Sequence, residues 1–234
     1  MIPAHADSRD WFPLDAEAHA RQLAALPRLL GEPPRRVVDL GCGDGRLLVP
    51  LAQLGYDMVG MDLNEAAITA ARHALHATDC TARLVEHDVR SPWPDDLPVF
   101  DAVLCLGNTF MLFAAMDEAV ALGERVAATL SPTGCFVIDD FPFAGWSELT
   151  EGYWQNGISE DGDLQMCWQP GDAVFTLRKG DNVDPMLETI GRDEPRYRLW
   201  SLGALELLGR LIGLPHLDHN TEAGLITFRR STSA

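Results

Sequence analysis

The stretch Val37-Val38-Asp39-Leu40-Gly41-Cys42-Gly43-Asp44-Gly45-Arg46-Leu47-Leu48-Val49-Pro50-Leu51 decides the fold. Its first four residues form an apolar run too short and too β-branched for a helix. Glycines follow at positions 41, 43 and 45, and a helical pattern opens at Arg46-Leu47-Leu48. Strand, tight turn and helix in that order are the layout of a nucleotide-binding β-α unit. Without a Cβ, a glycine turn reaches backbone angles closed to other residues and lets a ligand lie against bare main chain. The helix start behind it adds unpaired N–H groups and a partial positive charge. A dinucleotide fingerprint needs a glycine three residues after Gly43, where Arg46 stands, so a nicotinamide-dependent dehydrogenase is disfavoured.

What stands instead is Asp39-x-Gly41-x-Gly43-x-Gly45, with an acid inside the strand end. This resembles the first motif of the class I S-adenosylmethionine-dependent methyltransferases. The resemblance covers residues 37–140 well and 196–230 loosely. It implies that the turn, Gly41, Cys42 and Gly43, holds the methionine and ribose part of S-adenosylmethionine. It also implies that Asp39 orients the turn and the cofactor's amino group, often through water.

Working outward, the first helix is expected from about Arg46 to Leu54, with Gly55 as its stop and Pro50 early enough to cost little. Residues 57–62 read as the second strand, ending at Asp62. An acid there suits a ribose, because one carboxylate accepts from both hydroxyls. Leu63 would lie flat on the adenine. The plain alternative for Asp62 is a helix cap, but Asn64 fills that role better for the helix Glu65–Ala77 and leaves Asp62 to the ligand. Arg83 to His87 is a third strand, ending in Asp88-Val89. In the family resembled, this acid takes the adenine amino group and the next N–H a ring nitrogen. In the rigid loop Ser91-Pro92-Trp93-Pro94, Trp93 is a candidate cover for the adenine edge.

Phe100 to Leu106 is an unbroken apolar strand, as in the buried middle of a parallel sheet. It runs into Gly107-Asn108-Thr109, which is similar to the turn of glycine and sarcosine N-methyltransferase relatives. That places Leu106 and Gly107 on the cofactor and Asn108 and Thr109 on the acceptor, as orienting groups. Helix 116–130 is expected to bury Met116, Val120, Gly123, Val126 and Ala127. Residues 131–134 read as a turn, and Cys135 to Asp139 as the fifth strand. Asp139 and Asp140 at its tip suit a solvated loop, a grip on a cationic substrate or the taking of a proton.

Residues 1–34 read as an N-terminal helical arm. Leu23, Leu26, Leu29 and Leu30 pack on the domain, with Glu17, Arg21 and Gln22 between them, and Trp11 and Phe12 precede it. Segment 144–200 breaks the alternating rhythm. It carries short strand candidates at Leu164–Trp168, Ala173–Arg178, Leu187–Ile190 and Arg196–Trp200, and aromatics at Trp146, Tyr153, Trp154 and Trp168. It reads as a β-rich lid, whose aromatics either hold a small sheet together or face an onium-forming amine. A helix over 201–212, capped by Ser201 and stopped by Gly213, leads to a closing antiparallel pair at His216–His219 and Leu225–Arg230. His216 and His219, three apart on a strand, point to opposite faces, so no metal is expected.

Composition bounds partners and compartment. The 234 residues suit one α/β domain with an insert, here residues 1–234 as a single unit. The five cysteines form no C-x-x-C pair and lie mostly in apolar stretches, which suits reduced thiols in the cytoplasm. No apolar run reaches a membrane span, and the first dozen residues lack a secretory pattern. A formal charge of −17 repels phosphate backbones, so nucleic acid is a poor partner. Lys179 is the only lysine among 18 basic residues. The expectation is an α/β Rossmann-like fold, a seven-stranded, mostly parallel sheet with helices on both faces and an antiparallel β insert. The expected activity is in-line methyl transfer from S-adenosylmethionine to a small molecule. A protein or nucleic-acid methyltransferase and a non-catalytic S-adenosylmethionine-binding subunit stay open as alternatives, as does a homodimer.

Overall fold

The computed structural model describes residues 16–140, 157–159 and 161–231. Trp11, Phe12, Trp146, Tyr153 and Trp154 lie outside them. Two apolar runs, β1 (Arg36–Leu40) and β4 (Phe100–Cys105), pair in parallel at the centre of a seven-stranded sheet. The other strands are β2 (Asp57–Asp62), β3 (Arg83–Glu86), β5 (Leu130–Asp139), β9 (His216–Asn220) and β10 (Leu225–Arg229). The order is β3-β2-β1-β4-β5-β10-β9. Strands β1 to β5 are parallel, and β10 is antiparallel to both β5 and β9.

From β1 the chain steps outward through α2 (Leu48–Gln53) to β2 and through α3 (Glu65–Ala77) to β3. It then returns to the opposite edge of β1 as β4. A crevice therefore opens at the tips of β1 and β4, where open α/β sheets take their ligands. Alternation along the strands divides the core in two. Val37, Met58, Leu104 and Val137 pack toward α1 (Ala16–Leu30), α2 and α3. Val38, Val59, Val103 and Phe136 pack toward α4 (Met116–Thr129) and α5 (Leu202–Leu211). At Gly60 the strand backbone lies bare against α2, since a Cβ there would stand 2.4 Å from Leu48 Cδ1 and 2.8 Å from Cys42 Sγ.

Four sequence expectations need correction. Helix α2 begins at Leu48, two residues late, because Gly45 holds φ at +91° and the turn runs on to Leu47. Helix α4 buries Ala119, Leu122, Gly123, Val126 and Ala127, while Met116 is exposed and Val120 only half-buried. The face is turned because Gly123 meets Ile212, just past α5, leaving no room for a Cβ. Strand β5 starts at Leu130: Phe100 pairs with Leu130 and Ala102 with Cys135, so residues 131–134 loop out of the strand rather than precede it.

The fourth correction concerns the insert. β6 (Leu164–Trp168), β7 (Val174–Lys179) and β8 (Tyr197–Arg198) form a separate antiparallel sheet in that order. Leu187–Ile190 is not a strand. The guanidinium of Arg178, 5% exposed, donates to the Leu187 and Thr189 carbonyls and pairs with Glu194, so a side chain satisfies the backbone there instead of a neighbouring strand. Met166, Phe175, Leu177, Tyr197 and Leu199 close over Met111, just beyond β4. Arg198 donates to the Ala114 carbonyl and, bidentately, to Asp172, which ties the insert to the segment between β4 and α4. Lys179 is exposed at the end of β7.

Candidate active site

The tip of β1 is a turn in which Gly41, Gly43 and Gly45 hold φ at +73°, +56° and +91°. A side chain in that region is strained, so the alternating glycines are a backbone requirement. The Gly41 and Cys42 amides both donate to the Met61 carbonyl at the end of β2. A Cβ on Gly41 would lie 2.7 Å from Thr109 Cγ2, so the turns after β1 and β4 touch. Burial pushes the Cys42 thiol far above its ordinary range, so it serves as an inert filler.

Asp62 closes the turn from the β2 side. One carboxylate oxygen accepts from the Gly43 amide at 2.8 Å and the other from the Asn64 amide at 2.9 Å. The Asn64 side chain caps α3 by accepting from Ala66 and Ala67, as expected. Asp62 is therefore not wholly free, but a carboxylate has about four acceptor positions, which leaves room for two more donors. Leu63 beside it is 43% exposed. Asp88 receives a bidentate grip from Arg90, with bonds of 2.9 and 2.8 Å, and that bonding holds its carboxyl below the usual range. The Trp93 indole donates to the Val89 carbonyl, fixing the loop over the end of β3.

The second half of the site is the tip of β4. Leu106 is buried, and Gly107 and Asn108 both adopt left-handed backbone, with φ of +77° and +62°. The Thr109 hydroxyl donates to the Leu106 carbonyl at 2.8 Å, which commits its hydrogen to the turn. The Asn108 amide donates to Asp139 Oδ2 at 2.7 Å. Asn108, Phe110, Met111, Ile138, Asp139, Trp200, Leu205 and Ile226 line a narrow cleft, partly open to solvent. It is apolar but for Asn108 and Asp139. On the far side of the β5 tip, Asp140 pairs with His219 Nε2 at 2.5 Å.

Helix α1 supplies Gln22, which the sequence analysis set between the apolar residues of the arm, and His19, which it did not single out. Gln22 is only 2% exposed. Its Nε2 donates to Asp139 Oδ1 at 2.7 Å, and its Oε1 accepts from Arg46 Nη1 at 3.1 Å. Arg46 also donates to His19 Nδ1 at 2.9 Å. The signal was present: His19, Gln22, Leu26 and Leu30 recur at helical spacing, so two polar residues continue the apolar stripe. Asp39 is 3% exposed, and burial pushes its carboxyl up to about 7 against the pull of Arg46, with Asp62 and Asp139 adding to the rise. Burial likewise raises Asp139, although its hydrogen bonds oppose the shift. The crevice is thus an acidic slot with one internal arginine.

Among the described residues, no group of three or more His, Cys, Asp or Glu is placed to hold a metal, and no helix is long and apolar enough to cross a membrane. Residues 37–134 match the family model described as a methyltransferase domain. The ubiquinone biosynthesis O-methyltransferase of Alkalilimnicola ehrlichii is 38% identical over 102 residues, which are 43% of this chain and 39% of that one. The chain spans 65% or less of the curated relatives it matches first. An S-adenosylmethionine-dependent methyltransferase from Clostridium acetobutylicum superposes with a TM-score of 0.67 at 15% identity, over 95% of this chain and 94% of that one. S-adenosylmethionine-bound CalS10, an amino pentose methyltransferase from Micromonospora echinaspora, superposes with a TM-score of 0.63 at 18% identity, over 99% and 98%. The sheet order and the glycine turn at the tip of β1 thus give this chain the fold of these solved methyltransferases, and its residues 37–134 are similar to a methyltransferase domain.

Proposed function

We propose that this protein is an enzyme that transfers a methyl group from S-adenosylmethionine to a small acceptor. The observation that carries the reading is the acidic slot between the β1 and β4 tips, floored by bare glycine backbone and closed by Asp62. S-adenosylmethionine supplies a methyl group already activated on a cationic sulfur. Its charge distribution suits the slot, since a cationic ligand relieves the crowding of Asp39, Asp62 and Asp139. Asp39 would hold the amino end, Gly41, Cys42 and Gly43 the methionine and ribose, and Arg46 the carboxylate by a charge-assisted bond. Asp62 has acceptor positions left for ribose hydroxyls, and Leu63 offers an exposed apolar face to the adenine. Asp88 and Val89 would read the adenine edge, with Leu106 and Gly107 against the cofactor's middle.

The chain's residues mainly align and exclude water, which is what methyl transfer needs from its host. The acceptor would enter the cleft under the β4 turn, where Asn108 orients a polar group and Asp139 favours an amine or hydroxyl over an anion. The −17 charge supports a neutral or amine-bearing molecule. CalS10 is an amino pentose methyltransferase and the Alkalilimnicola ehrlichii relative is an O-methyltransferase of ubiquinone biosynthesis, which supports a small acceptor here. The test is transfer of radiolabelled methyl from S-adenosylmethionine to panels of small amines and hydroxylated rings, run beside DNA, RNA and protein. Label in a small-molecule panel alone is the expected result. Label only in a macromolecule, or cofactor binding with no transfer to any panel, would overturn the proposal.

A further inference from the structure

We propose that Gln22 is a positioning residue that couples the cofactor side of the site to the acceptor-side turn through Asp139. The proposal rests on the reading that the β1 turn holds the cofactor. Gln22 is buried and polar, and both ends of its amide are used, one on Arg46 and one on Asp139. Arg46 can only donate and an ionised Asp139 can only accept, so one orientation of the amide satisfies both. The second oxygen of Asp139 accepts the Asn108 amide at 2.7 Å, and Asn108 holds a left-handed φ of +62° that a residue with a Cβ seldom adopts. The line Arg46–Gln22–Asp139–Asn108 thus joins the tips of β1, β5 and β4 by a side chain from α1.

Arg46 sits at the junction, since a Cβ on Gly107 would stand 3.5 Å from its Nη2. A ligand carboxylate drawn to Arg46 competes with Gln22 Oε1 for guanidinium protons. The Gln22 amide then shifts its hold on Asp139, and Asp139 its hold on the Asn108 amide. Simple packing of α1 on the sheet gives no such transmission, because Leu26 and Leu30 already fasten the helix.

The test uses the full chain labelled with ¹⁵N and S-adenosylhomocysteine as the probe. Three NMR signals are followed: the Leu63 amide beside Asp62, the Gln22 side-chain amide and the Asn108 amide. In the unsubstituted protein all three move with one midpoint. In Gln22→Leu the Leu63 signal still moves and the Asn108 response is lost, while the dissociation constant does not rise, because Gln22 no longer competes for the Arg46 guanidinium. Gln22→Glu keeps the Arg46 contact and sets like charge against Asp139, so it displaces the Asn108 signal before any ligand is added. An Asn108 response in Gln22→Leu equal to that of the parent overturns the proposal. If neither variant folds, the parent decides, because a Gln22 side-chain signal unmoved at saturation is equally fatal. A parent in which no signal moves refutes the cofactor reading itself, and the coupling falls with it.

Discussion

Cofactor affinity should rise with pH through the region of neutrality, with Asp39 carrying the slope. Its carboxyl is pushed up from 3.8 to about 7, first by burial. A shift of that size disfavours the ionised form by on the order of 4 kcal/mol. A ligand ammonium beside Asp39 favours that same form, so binding expels a proton. The apparent dissociation constant then scales with the ionised fraction of the empty protein. Between about pH 6 and about pH 7.5 it falls by roughly an order of magnitude, or about 1 kcal/mol. Calorimetry with S-adenosylhomocysteine in two buffers of different ionisation enthalpy reads both the slope and the released proton. Asp62, Asp139, His19 and Arg46 border the same space, so Asp39→Asn is the control. It should flatten the profile and hold affinity near the acid-limb value. A constant affinity over that range in the parent, or an undiminished slope in Asp39→Asn, refutes the reasoning. Stability of the empty protein runs the other way. The folded state binds this proton more tightly than the unfolded chain, so the contribution of Asp39 is full below its ordinary value and fades as pH climbs through about 7.

Asp62→Ala should weaken the cofactor by about 1–3 kcal/mol, since it removes a charged acceptor and unties the Gly43 amide; an unchanged dissociation constant by calorimetry would reduce Asp62 to a turn residue. Gly60→Ala should lower stability by about 1–3 kcal/mol through overpacking against Leu48 and Cys42, read as a shifted urea midpoint. Glu194→Gln strips the charge from the partner of buried Arg178 and should cost about 3 kcal/mol or more. Because Arg178 also holds the Leu187 and Thr189 carbonyls, the loss should appear as faster amide exchange across β6 and β7.

The central sheet was readable because each cue was local. Val37–Leu40 and Phe100–Cys105 are apolar but for one aspartate each, Asp39 and Asp101, the glycine turn has one economical explanation, and Asn64 announces the start of α3. What escaped depended on partners distant in sequence. Gln22 reads as a spacer between apolar residues until Asp139, 117 residues on, is brought against it. The β-like run Leu187–Ile190 cannot disclose that Arg178 claims its carbonyls. The buried face of α4 was set by Ile212, which local periodicity does not see. Within the site, the acids at strand tips were legible as candidates. Their bonding was not: Asp62 grips its own turn and Asp88 is gripped by Arg90, details fixed by backbone geometry and by a neighbour two residues away.

The solitary lysine has a practical consequence. Lys179 stands exposed at the end of β7, at the rim of the small sheet that closes over Met111. Within residues 1–234 it offers the one side-chain primary amine, because every other basic residue is arginine or histidine. Amine-selective chemistry that spares the chain's own α-amino group will therefore place a single dye on the insert and none on the half that carries the glycine turn. The parent sequence, unaltered, carries a built-in attachment point from which movement of that sheet against the crevice can be followed by fluorescence during turnover.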